Sequence, residues 1–329
     1  MAPRLQQVPA RSELRDLHGV LTLAPEMLEV MRIVGRVARA ECTALLTGET
    51  GTGKELVARA IHAQSPRASG PFLARNCATL SPTLLESELF GHVRGAFTGA
   101  IREKRGVFAL ADRGTLLLDE VAETSPEIQG RLLRVIQEKS FVPVGGVRSA
   151  NVDVRLISAT NKSLIDEVAA GRFRADLSFR IRVVPIYLPP LRERTGDVLA
   201  LFWHFVRIQN EESRLRHIAS ITVDVRDAIA NYAWPGNVRE LQSAVEYMFV
   251  VGEGEVADVG DLPPEVRGER PEDSTRVRLR GKDEAGRTRI LEALERNRWK
   301  RGPTARELGM SRSTLWRKLR EFDLKSKSD

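Results

Sequence analysis

Between residues 20 and 190, short apolar runs alternate with stretches whose apolar positions recur every three or four residues. "TALLT" (43–47) runs into a Gly-rich turn, and the "KELVARAIHAQS" that follows puts Leu56, Val57, Ala60 and Ile61 on one helical face. "GTLLLDE" (114–120) is a short β-like run closed by acids. "EIQGRLLRVIQEK" (127–139) has helical spacing, while "VDVRLISAT" (152–160) and "RVVPIYL" (182–188) read as strands. Alternation of this kind predicts an α/β domain over 21–190, a mostly parallel sheet covered by helices. After "LPPLRER" the β pattern stops. "GDVLALFWHFVRIQNEE", "VDVRDAIANYAW" and "NVRELQSAVEYMFVV" predict a small all-helical subdomain over 191–250. Residues 251–284 mix Gly, Pro and charge without period and read as a linker; 285–329 return to helix. Residues 1–20 are polar and read as a short N-terminal arm, with no regulatory domain expected ahead of the α/β pattern.

Composition adds modest constraints. Hydrophobic residues at 42% and charged residues at 29% are ordinary for a globular chain. The formal charge of +7 leans toward a polyanionic partner. Two cysteines, Cys42 and Cys77, are too few for a disulfide framework or a zinc site. No apolar run approaches the ~18 residues of a membrane span. The first twenty residues lack the apolar core of an export signal, so a cytoplasmic protein without membrane contact is expected. His62 and His92 have no accompanying second ligand or nucleophile and read as structural or solvated.

The chemistry begins in the turn Gly48, Glu49, Thr50, Gly51, Thr52, Gly53, Lys54, Glu55, which fits G-x-x-x-x-G-K between a strand and a helix. Its glycines let the backbone wrap phosphates, the helix N-terminus faces the same anion, and Lys54 would neutralise the β- and γ-phosphates. Glu55 stands where a Ser or Thr usually binds Mg²⁺, so the metal must depend more on other acids or on water. Asp119 and Glu120 supply acids at the end of a buried-strand pattern. Asp119 suits Mg²⁺ and Glu120 suits activation of the attacking water. Together the two motifs predict ATP hydrolysis.

In the tail, a predicted helix carries Ile290, Leu291 and Leu294, and a short second helix runs from about Pro303 to Leu308. A third starts at Ser311 and sets Leu315 and Leu319 toward a core, leaving Arg312, Ser313, Thr314, Arg317 and Lys318 outward. That is the pattern of a recognition helix in a major groove.

The stretches "GETGTGKE", "ESELFGH" with "GAFTGA", "GTLLLDE", "GRFRADLSFRI", "LPPLRER" and "WPGNVREL" resemble the sigma-54-dependent transcriptional activators, the bacterial enhancer-binding proteins. The resemblance covers Leu21 to Val250 and Ala285 to Leu324. It implies an AAA+ P-loop ATPase with a helical lid and a Fis-type helix-turn-helix domain. By that resemblance Asn76 is the switch asparagine that senses nucleotide through Glu120, and Thr160 and Asn161 form the first sensor. Arg174 and Arg180 are arginine fingers reaching a neighbouring subunit's ATP, and Arg239 is the second sensor on the lid. Trans-acting fingers imply a homo-oligomer, from dimers on palindromic upstream DNA to a hexameric ring. The tip Gly95, Ala96, Phe97, Thr98, Gly99, Ala100 is implied to contact sigma-54 in RNA polymerase, with Glu86 and Glu88 in the arm that carries it. The implied function is ATP-driven remodelling of the closed sigma-54 promoter complex to the open form, with a regulator acting in trans as one means of control. The intact Phe97–Thr98 pair argues against a DNA-binding regulator that keeps the fold without acting on sigma-54. The DNA-reading tail argues against a general AAA+ remodeller.

Overall fold

The computed structural model describes residues 5–9, 14–97, 99–213, 216–269, 290–297 and 299–308, together with Leu315 and Leu319. The chain divides into two compact units, Met1–Leu262 and Pro263–Asp329.

The first unit is built on five parallel strands: β1 (Ala44–Thr47), β2 (Phe72–Asn76), β3 (Thr115–Asp119), β4 (Arg155–Thr160) and β5 (Val184–Tyr187), in the spatial order β5-β1-β4-β3-β2. Alternation within each strand feeds two separate cores. Leu45, Leu116, Leu118 and Leu156 face one layer; Ala44, Leu46, Leu117, Ile157 and Ile186 face the other. Both faces being covered explains why "TLLL" is a continuous apolar run rather than an alternating one. Helices α1 (Pro25–Ala40) and α2 (Lys54–Ala63) cover the second face. Helices α3 (Pro82–Phe90), α4 (Pro126–Glu138) and α5 (Ala175–Ile181) cover the first.

Helix α1 starts with Pro at its first turn and buries Met27, Val30, Met31, Val34, Val37 and Ala38, the spacing of one helical face. It ends without a glycine, on Glu41 in the left-handed region. Its last carbonyls are taken up instead by the buried guanidinium of Arg155, which donates to Val37 O at 2.6 Å and Ala38 O at 2.8 Å.

Helices α6 (Asp197–Glu212), α7 (Val223–Asn231) and α8 (Asn237–Val251) form the lid, packed around buried Phe202, Val206, Trp234 and Met248. The lid differs from the sequence reading in two respects. It is not purely helical, because Ser220–Thr222 pairs with Leu5–Gln7 on one side and with Val256–Ala257 on the other. Residues 252–262, read as the start of a linker, belong to the lid, with Ala257 and Leu262 fully buried. The 1–20 arm likewise contributes structure: Leu5–Gln7 joins the lid strand, and Arg15–Leu17 pairs with Val20–Thr22.

Asp197, fully buried at the start of α6, fastens the beginning of the sheet unit to the lid. It accepts from the Thr22 hydroxyl at 2.8 Å, Leu23 N at 2.6 Å and Ala24 N at 3.0 Å. Asp197→Ala would orphan the Thr22 hydroxyl and Leu23 N, leave Ala24 N only its bond to Thr22 Oγ1 at 3.0 Å, and should cost about 2–4 kcal/mol. For a unit of this size that lowers the melting temperature by roughly 5–10 °C, read by calorimetry. An unchanged transition would show that the clasp contributes nothing.

In the second unit, Ile290, Leu294, Leu315 and Leu319 form one cluster with Trp299 and Leu308 packed against it, and Arg301–Glu307 forms helix α9. The apolar face expected for a helix-turn-helix is therefore in place. The base-reading candidates Arg312, Ser313, Thr314, Arg317 and Lys318 lie outside the described residues.

Candidate nucleotide-binding site

β1 ends at Thr47 and α2 begins at Lys54, so the Gly-rich turn sits at the carboxyl edge of the sheet where parallel strands leave a crevice. Gly51 and Gly53 have φ of +82° and +97°. A Cβ on Gly51 would lie 2.2 Å from Gly236 O, so only glycine fits between the turn and the lid. At Gly53 the space ahead of the missing side chain is open, and the α2 N-terminus points there. A cleft of about 440 Å³ is lined by Thr50, Gly51, Gly53, Lys54 and Glu55 of the turn, by Asn76, Asp119 and Glu120 of the sheet edge, and by Arg239 of the lid. Open space, a helix N-terminus, a lysine and two acids fit a nucleotide triphosphate with its divalent cation.

Lys54 is buried and donates to Gly48 O at 2.9 Å and Glu49 O at 3.2 Å, with Glu120 Oε1 3.8 Å away. Glu120 has φ +51°, a left-handed conformation uncommon for a residue with a side chain. Its Oε2 accepts from Asn161 N at 3.1 Å, and Asn161 Nδ2 donates to Thr50 Oγ1 at 3.3 Å. The turn at Asn161, the acid and the phosphate turn are thus in direct contact. Glu55 faces the cleft but is paired with Arg59 at 2.7 Å one helical turn on.

Several expected site residues stand differently from the sequence reading. Asn76 Nδ2 donates to Asp119 Oδ2 at 3.3 Å rather than to Glu120, because β2 and β3 are in register with Asn76 opposite Asp119. Gly48, Glu49 and Thr52 do not line the cleft. Thr52 is buried, its hydroxyl donating to Glu49 O at 2.8 Å. Glu49 turns away to a bidentate pair with Arg192 at 2.6 and 2.9 Å, a placement that keeps a carboxylate off bound phosphates. The Arg192 hydrogen bonds, with a further one from Asn237, hold the Glu49 carboxyl down at about 2. Its stabilising contribution is therefore complete above the ordinary carboxylate range and is lost only as pH falls toward 2. Thr160 is buried and accepts from Lys162 N at 3.0 Å, shaping the sensor turn without reaching the cleft. Arg174 and Arg180 are exposed on α5 and its cap and do not line this cleft; Arg174 pairs with Asp176 at 2.8 Å.

Two contributors were missed from sequence. Arg194, almost fully buried, donates to Thr52 O at 2.6 Å and Pro189 O at 3.0 Å, bracing the turn from below. Burial pushes its guanidinium pKa down. Asn237, at the lid's first helical residue, touches the turn directly.

A second surface leaves the same sheet edge. From Asn76 the chain enters α3, then the pair Gly91–His92 with Lys104–Arg105, whose intervening loop carries the "GAFTGA" tip. Glu86 pairs with Arg131 at 2.7 Å and Glu88 with Lys104, so both acids do anchor the arm. His92, read as structural or solvated, is buried at the arm's hub: its ring contacts Ser87 Oγ at 2.7 Å and Arg102 O at 3.0 Å, and meets Phe97 edge-on at 5.0 Å. Phe97 is half-buried in that contact, and Thr98 lies outside the described residues. The tip rests on the loop after Phe141, where a Cβ on Gly145 would meet Ala96 at 2.8 Å. Val93 N donates to Val144 O at 3.1 Å, and Val147 at the end of that second loop is 95% exposed.

Three family models match the chain: a sigma-54 interaction domain over residues 20–187, an AAA+ ATPase lid domain over 192–279, and the Fis family of bacterial regulatory proteins over 285–322. The transcriptional regulatory protein ZraR of Klebsiella oxytoca is 44% identical over 322 residues, 96% of this chain and 72% of that protein. The regulatory protein AtoC of Escherichia coli K12 is 40% identical, across 97% of this chain and 73% of its own length. The crystal structure of NtrX from Brucella abortus in complex with ATP superposes with a TM-score of 0.69 at 34% identity, covering 93% of this chain and 69% of that one.

Proposed function

The chain belongs to the sigma-54 interaction family of AAA+ ATPases with a Fis-type DNA-binding domain, and from that premise we propose that it is an upstream-binding activator. It assembles on DNA into a ring and uses ATP hydrolysis to remodel the sigma-54 polymerase closed complex to the open form. The observation that carries this reading is the short path from the cleft to the tip: Asp119 holds Asn76, and Asn76 leads through α3 into the hairpin that bears "GAFTGA".

ATP binds with its phosphates against Gly51, Gly53 and Lys54, under Arg239. Asp119 would hold Mg²⁺ directly or through water, and the ion would supply charge neutralisation at the phosphates. Glu120 orients the attacking water and takes its proton, held in place by the Asn161 N–H. The γ-phosphate reports on the Asp119–Asn76–Glu120 edge, and the report travels along α3 to the tip. Arg174 and Arg180 serve the cleft of a neighbouring subunit. Arg312, Ser313, Thr314, Arg317 and Lys318 read a palindromic site.

Open-complex formation with sigma-54 polymerase tests the reading. Thr98→Ala should keep ATP turnover within about twofold while losing open complexes by at least ~100-fold, since only a contact made in the remodelling step is removed. Equal promoter opening by both proteins would remove the tip from the mechanism. Binding to the cognate site should also fall steeply with salt, by about 10³-fold or more between 50 and 200 mM, because phosphate contacts release counterions. Filter binding across that range checks it.

A further inference from the structure

Asn237 is a polar side chain enclosed by both halves of the ATPase unit. It is completely buried, in the left-handed region at φ +55°, and sits two residues before Arg239. Its amide orientation is fixed by its neighbours. Leu191 N–H can only donate and lies 2.7 Å from Oδ1; Glu49 Oε2 and Thr50 O can only accept and lie 3.1 and 3.0 Å from Nδ2. The next residue, Val238, donates its N–H to Gly51 O at 3.1 Å. Glu49, in turn, is clamped by Arg192. The outer surface of the phosphate turn is therefore hydrogen-bonded, residue after residue from Glu49 to Gly51, to the first turn of the lid helix. Asn237 supplies two of those bonds and ties them to Leu191.

We propose that Asn237 is a positioning residue for ATP turnover: it locks the lid helix to the phosphate turn and thereby sets where Arg239 stands over the cleft. The proposal rests on the ATPase part of the reading above and not on the sigma-54 part. The physical reason for an asparagine is threefold. The site needs a left-handed backbone, which asparagine tolerates better than most residues. It needs two donors for a carboxylate and a carbonyl, and it needs one acceptor for an amide. Aspartate has the shape but lacks the donors and would set a second carboxylate against Glu49. Glycine has the backbone freedom but no amide.

Asn237→Gly thus removes the lock without straining the chain, and Asn237→Asp reverses its polarity at constant volume. Binding of a fluorescent ATP analogue and steady-state hydrolysis would be measured for both, alone and with Arg239→Ala. The expected result is a Kd about tenfold higher for Asn237→Gly and higher still for Asn237→Asp. Added to Arg239→Ala, Asn237→Gly should change Kd by less than about twofold, because residues acting as one unit are not additive. A merely structural role predicts the opposite: a lower melting temperature and the full tenfold loss again on the Arg239→Ala background. Additive losses, or wild-type Kd and kcat in both Asn237 variants, would overturn the proposal. If Asn237→Gly does not fold, the isosteric Asn237→Asp decides the same cycle. A wild-type chain that binds no ATP would instead sink the functional reading, so the two failures are told apart.

Discussion

Replacing Glu120 with glutamine should leave ATP bound at least as tightly as in the wild type and lower hydrolysis by roughly 10²–10⁴-fold. The two halves of that expectation have different origins. Glutamine is isosteric and keeps a carbonyl oxygen for the Asn161 N–H, now 3.1 Å from Oε2, so the sensor turn is undisturbed. The substitution also removes a negative charge 3.8 Å from the Lys54 ammonium, in a cleft that must accept a polyanion, which favours nucleotide. What the amide cannot do is take a proton from the attacking water. Single-turnover hydrolysis beside equilibrium nucleotide binding separates the effects. Hydrolysis at the wild-type rate would exclude Glu120 as the water's partner, whatever happened to affinity.

An effect of comparable size is expected at Arg180. It is exposed, does not line its own chain's cleft, and makes no side-chain hydrogen bond or ion pair among the described residues, whereas Arg174 is already paired with Asp176. A guanidinium delivered to a transferring phosphoryl group is worth roughly 10³–10⁵ in rate. Arg180→Ala should therefore abolish turnover nearly as fully as Lys54→Ala does by removing the phosphate-binding lysine. With Arg180 serving a neighbouring subunit as proposed, the two defects would fall on opposite sides of an interface. In an equimolar mixture, about a quarter of interfaces would join an intact phosphate turn to an intact Arg180, so activity should return to that order. No recovery on mixing, with both proteins still assembling in light scattering, would place Arg180 in its own subunit's chemistry or outside it.

The parts of this molecule that were legible in sequence are those where one requirement dominates. β1 and β3 are buried on both faces, and their continuous Ala and Leu runs show it; β4 is equally buried, with Leu156, Ile157 and Ala159 between polar positions. The glycines of the phosphate turn are spaced by the backbone's need to wrap an anion. β2 was not read as a strand, since all five of its residues are half-buried at the sheet edge and Arg75 interrupts the apolar pattern. Its register was therefore not available, and with it the fact that Asn76 faces Asp119. Residues 252–262 looked like a linker because glycines and acids outnumber apolar positions there. Two buried side chains, Ala257 and Leu262, and a guanidinium from Arg216 to Asp261 at 3.0 Å hold that segment in the lid. Asn237 carried no signal of its own: burial, left-handed backbone and three polar partners from distant segments are properties of the assembled fold.

The docked "GAFTGA" tip has a thermodynamic consequence. It is held down by the Val93–Val144 hydrogen bond, the Phe97–His92 ring contact and the fit of Ala96 against Gly145. Contacts of these kinds contribute about 0.5–1.5 kcal/mol each, a few kcal/mol together. At that gap the lifted tip is a minor population, on the order of one molecule in a hundred, not a forbidden state. To make the lifted form dominant, nucleotide need not push the loop; it need only favour that form by about 10⁴-fold in affinity, roughly 5.5 kcal/mol, a fraction of the binding free energy of a tightly held triphosphate. A partner that grips only the lifted tip would contribute to the same shift, so that at this loop ATP and the polymerase would bind cooperatively.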